Sequence, residues 1–241
     1  MSTKKSLLLL MLIFLPSISD AGVFSWFNDK FEIGSFFQLR FDSQNSSTVT
    51  QRKILHIAVL KDSGWQENDI RSRLERLHSI YLQCGVELGF NVFSVSAEEK
   101  YQTLGYARDQ SRGSLQYKIA THIPSQFRPL ILYINKNIWS KTSSIAYANP
   151  ATTQLSPSHP LSNTAFIPYD EYAMKSPADY TRYGQAPDYL VEAHELGHLF
   201  LGGSHDSERD GNFMSFSGTS NRILPDQCEE ILKNIDLTKT H

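Results

Sequence analysis

From Glu192 to Phe216 the chain reads EAHELGHLFLGGSHDSERDGNFMSF. Residues four apart on an α-helix share a face about 6 Å apart along the axis, so His194 and His198 can aim imidazole nitrogens at one ion. Glu195 is turned about 100° around such a helix. That places it beside the metal as a general base and not as a ligand. Gly202 and Gly203 offer the positive φ with which a helix ends and the chain turns back. His205 follows and is the expected third ligand. Three protein nitrogens leave a fourth position for water, the open geometry of a catalytic zinc and not the closed one of a structural zinc. The implied chemistry is peptide-bond hydrolysis by a zinc-bound water that Glu195 activates, with one Zn2+ as cofactor.

HELGH, a glycine turn, His205 and then NFM with Met214 together resemble the metzincin clan of zinc metallopeptidases, whose pattern is HExxHxxGxxH followed by a methionine turn. The resemblance implies a metzincin-like fold, His194, His198 and His205 as metal ligands, Glu195 as the catalytic residue, and Met214 as an apolar floor beneath the metal. The glycine and the third histidine each arrive one residue late, since Leu201 and Ser204 stand at the clan positions. Asp206 is therefore a second candidate for the third ligand. Phe216 stands where some metzincins carry a coordinating tyrosine, so no such ligand is expected. Two other readings remain open here. One is a thermolysin-like peptidase with its third ligand from Glu229 or Glu230. The other is a zinc-binding exported protein without catalytic activity.

The elements that must hold this site are legible upstream. KILHIAVL from Lys53 reads as a buried strand. GWQENDIRSRLERLHSIYLQCG reads as a helix whose Ile70, Leu74, Leu77, Ile80 and Tyr81 share one face, and Gly85 lies just beyond it. VELGFNVFSV is a second strand, and the order strand, helix, strand argues for a mixed α/β domain. Residues 97 to 127 read as helical and irregular, RPLILYI as a third strand, SSIAYAN as a short exposed edge strand, and NTAFIPY as a last strand. The long helix carrying the motif is expected to start near Asp188. The predicted fold is thus α/β (α+β): a mixed twisted sheet, an active-site helix and a small, mostly helical or irregular C-terminal subdomain. His56 and His78 fall inside elements and read as packing or surface residues, while His122, His159 and His241 lie outside the constellation.

The 241 residues carry a formal charge of -2, with no block of lysine or arginine, which excludes nucleic acid as the main partner. Lys4 and Lys5, the apolar run Leu7 to Leu15 and small residues at Ser19 and Ala21 read as a signal peptide cleaved after Ala21, too short to span a bilayer. The predicted organisation is a signal peptide over 1–21, an N-terminal extension or short pro-segment over 22–50, and the metallopeptidase domain over 51–241. Asn45 opens an NSS sequon. In an exported protein Cys84 and Cys228 are expected to form a disulfide, stabilising by roughly 4 to 5 kcal/mol in the loop-entropy model, in preference to two buried thiols. The expected product is a secreted or periplasmic monomer acting on a protein or peptide substrate, with no membrane attachment after cleavage. Its cleft would lie between the motif helix and the edge strand at Ile145 to Asn149.

Overall fold

The structure is a computed structural model that describes residues 31–41, 49–97, 115–134, 146–150, 155–156, 158–169, 190–202, 205–206, 211–215 and 220–235. Its elements run β1 (Phe31–Leu39), β2 (Gln51–Leu60), α1 (Glu67–Tyr81), β3 (Val86–Ala97), α2 (Leu115–His122), β4 (Leu130–Ile134), β5 (Tyr147–Asn149), β6 (Thr164–Pro168), α3 (Val191–Leu201) and α4 (Pro225–Asn234). The six strands form one sheet in the order β1-β3-β2-β4-β6-β5. The inner pairs β2/β3, β2/β4 and β4/β6 are parallel, and the edge strands β1 and β5 run antiparallel to their neighbours.

Parallel inner strands must be apolar on both faces, because connecting helices cover each side. β4 and β6 are buried along their whole length, and β2 from Ile57 onward. Leu55, Ile57 and Val59 of β2, Ile131 and Tyr133 of β4, and Ala165 and Ile167 of β6 join one core with α1, α3 and α4. The alternate residues Ala58, Leu60, Leu130, Leu132, Ile134 and Phe166 join a second core with Ile119, Ala120 and Ile123 around α2. Period-two alternation therefore divides the molecule into three layers. The mixed α/β class read from the sequence is the class observed.

Boundaries move by a few residues. The motif helix starts at Val191 and not near Asp188; residues 181–189 lie outside the described residues. The stretch expected as an arm or pro-segment contributes β1, paired along β3 at the edge of the sheet opposite β5. The predicted signal segment, Asn45, Gly203, Phe216 and His241 lie outside the described residues. No helix among the described residues is long and apolar enough to cross a membrane.

A disulfide and several hydrogen bonds hold the C-terminal part to the body. Cys84 and Cys228 are joined in a disulfide, tying the turn after α1 to α4 across 144 residues of sequence. Lys53 is buried, and its Nζ donates to the carbonyl oxygen of Ile235 at 2.7 Å, at the end of α4. Asn234 donates to the Phe200 carbonyl oxygen at 2.8 Å, so α4 also grips α3 directly.

Candidate metal centre

α3 is apolar around most of its circumference, and every residue from Val191 to Phe200 is buried. A helix buried on all sides must find partners for its polar side chains inside the protein. Glu192, fully buried, accepts from Arg73 Nε of α1 at 2.5 Å and from the Tyr133 hydroxyl of β4 at 3.1 Å. Tyr81 of α1 donates its hydroxyl to the Ala193 carbonyl oxygen at 3.2 Å. These bonds, with the apolar contacts of Leu196, Leu199 and Phe200, fix the rotation of the helix. His194 and His198 are then carried to one side of it. The helix ends at Gly202, whose φ of 85° is left-handed and whose N–H donates to the His198 carbonyl oxygen at 3.1 Å. A residue with a Cβ would be strained there.

Beyond this stop the chain brings His205 back to the pair. Nε2 of His194 lies 3.0 Å from Nε2 of His198 and 3.2 Å from Nε2 of His205. The three ligand atoms all fall within 4.8 Å of one another. Nδ1 of His194 lies 2.7 Å from the carbonyl oxygen of Phe213 and donates to it, which leaves Nε2 as a bare lone pair. Two neighbouring imidazoles thus converge on a nitrogen that has no proton to give. A tetrahedral zinc with bonds of about 2.0 to 2.1 Å sets its nitrogens about 3.3 Å apart, close to the spacing here, so the donor set fits such an ion. Burial also holds the His194 and His198 rings neutral, the form a metal requires. It pushes His194 down to about 4, with the Phe213 hydrogen bond opposing and His205 adding to the shift. Burial, then His194 and His205, push His198 down to about 3. His205 alone is exposed, so the site opens to solvent on its side.

Glu195 is buried, and its Oε2 has no hydrogen-bond partner among the described residues. Burial raises its carboxyl to about 8, and the charge of Glu192 adds to the shift. A nearby cation acts in the opposite sense and favours the carboxylate. Glu195 is thus a buried acid with a raised pKa, next in sequence to one of the three converging imidazoles.

The turn carrying Met214 packs beneath the helix. Met214 is buried, and a Cβ built on Gly197 would overlap its Sδ and come within 2.5 Å of Phe213 Cε2. Gly197 follows His194 by three residues, on the same side of the helix. The glycine inside HELGH therefore lets the methionine turn approach the histidine face. A mid-helix glycine costs about 1 kcal/mol relative to alanine, which was the one sequence signal for this contact. Glu192, Arg73, Phe213 and Gln227 carried no comparable signal.

The other candidates are placed elsewhere. Asp206 does not join the histidines; its Oδ2 accepts from Gln227 Nε2 at 3.2 Å. Glu229 and Glu230 lie on α4, where Glu230 accepts from Asn234 and sits 3.6 Å from Lys233 Nζ. Neither belongs to the histidine group. His78 stacks on Phe41 and its Nδ1 contacts the Leu88 carbonyl oxygen, while His56 packs edge-on to Phe127. His122 Nδ1 contacts the carbonyl oxygen of Lys118, and His159 accepts from the Leu161 N–H.

The described fold and site are thus those of a mixed α/β protein with three histidines grouped so that they could hold a metal ion, and a buried carboxyl on the same helix as two of them. No family model and no curated protein matches the sequence. Among solved structures, the chain is similar to metalloproteinase-II from Bacteroides fragilis, at 14% identity and a TM-score of 0.47, over 79% of this chain and 59% of that one. It is also similar to archaemetzincin from Methanopyrus kandleri, at 14% identity and a TM-score of 0.45, over 80% of this chain and 98% of that one. The match spans less than two thirds of the Bacteroides protein's length.

Proposed function

We propose that this protein is an exported zinc-dependent endopeptidase, with His194, His198 and His205 as metal ligands and Glu195 as catalytic residue. The observation that carries this reading is the convergence of three imidazole Nε2 atoms at the helix that also bears the buried Glu195, whose Oε2 has no hydrogen-bond partner among the described residues. Zinc in such a site supplies Lewis acidity toward water and a peptide carbonyl. Glu195 takes the proton from the attacking water and returns it to the leaving amine. Burial of Glu195 keeps bulk water from competing for that proton. His194, oriented by the Phe213 carbonyl, keeps its Nε2 lone pair directed at the ion.

The substrate is an extended peptide. β5 is an outer strand of the sheet and packs near α3, and its Tyr147 ring stacks on Phe166 of β6. A peptide can add along β5 by main-chain hydrogen bonds, which places its backbone beside the helix whatever its side chains. Export is in keeping with the Cys84–Cys228 disulfide, since such bonds persist in oxidising compartments.

Elemental analysis of the purified protein should find one zinc per chain, lost in His205→Ala. Glu195→Gln should keep the zinc and lose about 10² to 10⁴ in cleavage of a quenched peptide library. Cleavage that survives this change rules out the proposed base, and zinc without any cleavage by the wild type leaves a binding protein.

A further inference from the structure

His194 and His198 are positioned by the helix they share, but His205 lies outside any helix and on the exposed side of the site. Something else must hold it at 3.2 Å from His194. We propose that Gln227 of α4 is the positioning residue for this third ligand, locking the His205 loop to the Met214 turn and so setting the affinity of the site for zinc. The inference rests on the metal reading above.

The Gln227 side chain is 5% exposed and uses both ends. Its Nε2 donates to Asp206 Oδ2 at 3.2 Å and to Asn212 Oδ1 at 3.1 Å, and its Oε1 accepts from the Leu224 N–H at 3.0 Å. Asp206 is the residue after His205. Asn212 Oδ1 in turn accepts from the Met214 N–H at 2.8 Å, and Asn212 Nδ2 donates to the Asp206 carbonyl oxygen at 3.3 Å. A backbone bond from the Asp206 N–H to the Met214 carbonyl oxygen, at 3.0 Å, closes the ring. One amide thus joins the loop bearing the third ligand, the turn under the helix and the start of α4.

The platform beneath it is fixed. Cys228, the next residue, is in the disulfide, and Lys53 and Asn234 hold the far end of α4. Only glutamine offers two donors and an acceptor at this reach. Glutamate has no N–H to give and sets a second carboxylate against Asp206, and methionine fills the space without bonding. Gln227 does not touch His205 but holds the residue beside it, and groups that orient a ligand tune metal affinity.

The test is zinc titration of the metal-free full-length protein against a chromophoric chelator, with visible spectra of the cobalt-loaded forms. Gln227→Glu and Gln227→Met should bind zinc about 10- to 100-fold more weakly than wild type and shift the cobalt bands. Pairing Gln227→Glu with Asp206→Asn restores one donor and acceptor across the contact and should recover part of the affinity. Arg128→Met breaks bonds to the Ala120 and Pro160 carbonyl oxygens on the other face of the sheet and should lower the melting temperature while leaving zinc affinity and cobalt bands unchanged. A folded Gln227 variant with wild-type zinc affinity overturns the inference and leaves the proposed function standing. Failure of both single variants to fold also overturns it, by making Gln227 a residue of the fold. A wild type that binds no zinc overturns both.

Discussion

Gly197 and Met214 pack so closely that a β-carbon on the glycine would overlap the methionine Sδ. The close approach couples the motif helix to the turn below it, since the Phe213 carbonyl that orients His194 belongs to the same turn. Gly197→Ala is favourable for the helix by about 1 kcal/mol yet must displace Met214 and Phe213. Overpacking of this kind costs about 1 to 3 kcal/mol. The expected outcome is a net loss of stability in thermal unfolding, with zinc content falling further than in Leu201→Ala, whose side chain is only half-buried.

Arg73 and Glu192 form an ion pair between α1 and α3 with both side chains nearly closed off from water. Removing one member of such a pair strands the other charge and costs about 3 to 5 kcal/mol. Arg73→Met should therefore be severely destabilising in denaturant unfolding. Adding Glu192→Gln removes the stranded charge and keeps an acceptor for the Tyr133 hydroxyl, so the double variant should be more stable than Arg73→Met alone. Equal stability of the two would show that the charge carries no such penalty.

His56 is held down to about 4 by burial first, then by Arg40, Lys53 and Arg128. The unfolded chain takes up this proton near the ordinary value of about 6.5, the folded chain only near 4. Between those values the unfolded state binds more protons, so stability falls as pH falls through that window. His56→Gln should flatten this part of the stability profile, measured by urea unfolding of the metal-free protein between pH 7 and pH 4. An unchanged slope would assign the acid sensitivity to other groups.

The Cys84–Cys228 disulfide closes a loop of 144 residues in separation. The chain-entropy model puts its stabilisation at about 5 kcal/mol, and calorimetric accounts differ on the mechanism. Cys84→Ser with Cys228→Ser should lower the urea midpoint by a corresponding amount. It should also loosen α4 first, seen as faster amide exchange in residues 225–234 than in β4.

The local rules of the chain already determine much of this. Alternation in KILHIAVL and RPLILYI places successive residues on opposite faces, and both faces prove to be covered. The i, i+4 spacing of His194 and His198 puts them on one side of a helix before any tertiary contact is known. Pairing of the only two cysteines follows from their number for a chain in an oxidising compartment.

What local rules leave undetermined depends on groups far apart in sequence. His205 and Asp206 are adjacent and both chemically able to bind a metal, and spacing could not choose between them. Tertiary structure turns Asp206 toward Gln227, 21 residues on, and His205 toward His194. Glu192 looks in sequence like an ordinary first-turn acid, yet its partner Arg73 is 119 residues away. Gly197 looks like a flaw in a good helix until Met214 arrives beneath it. Helix and strand periodicities are set by neighbours along the chain, whereas desolvated hydrogen bonds and van der Waals exclusions exist only once distant segments meet.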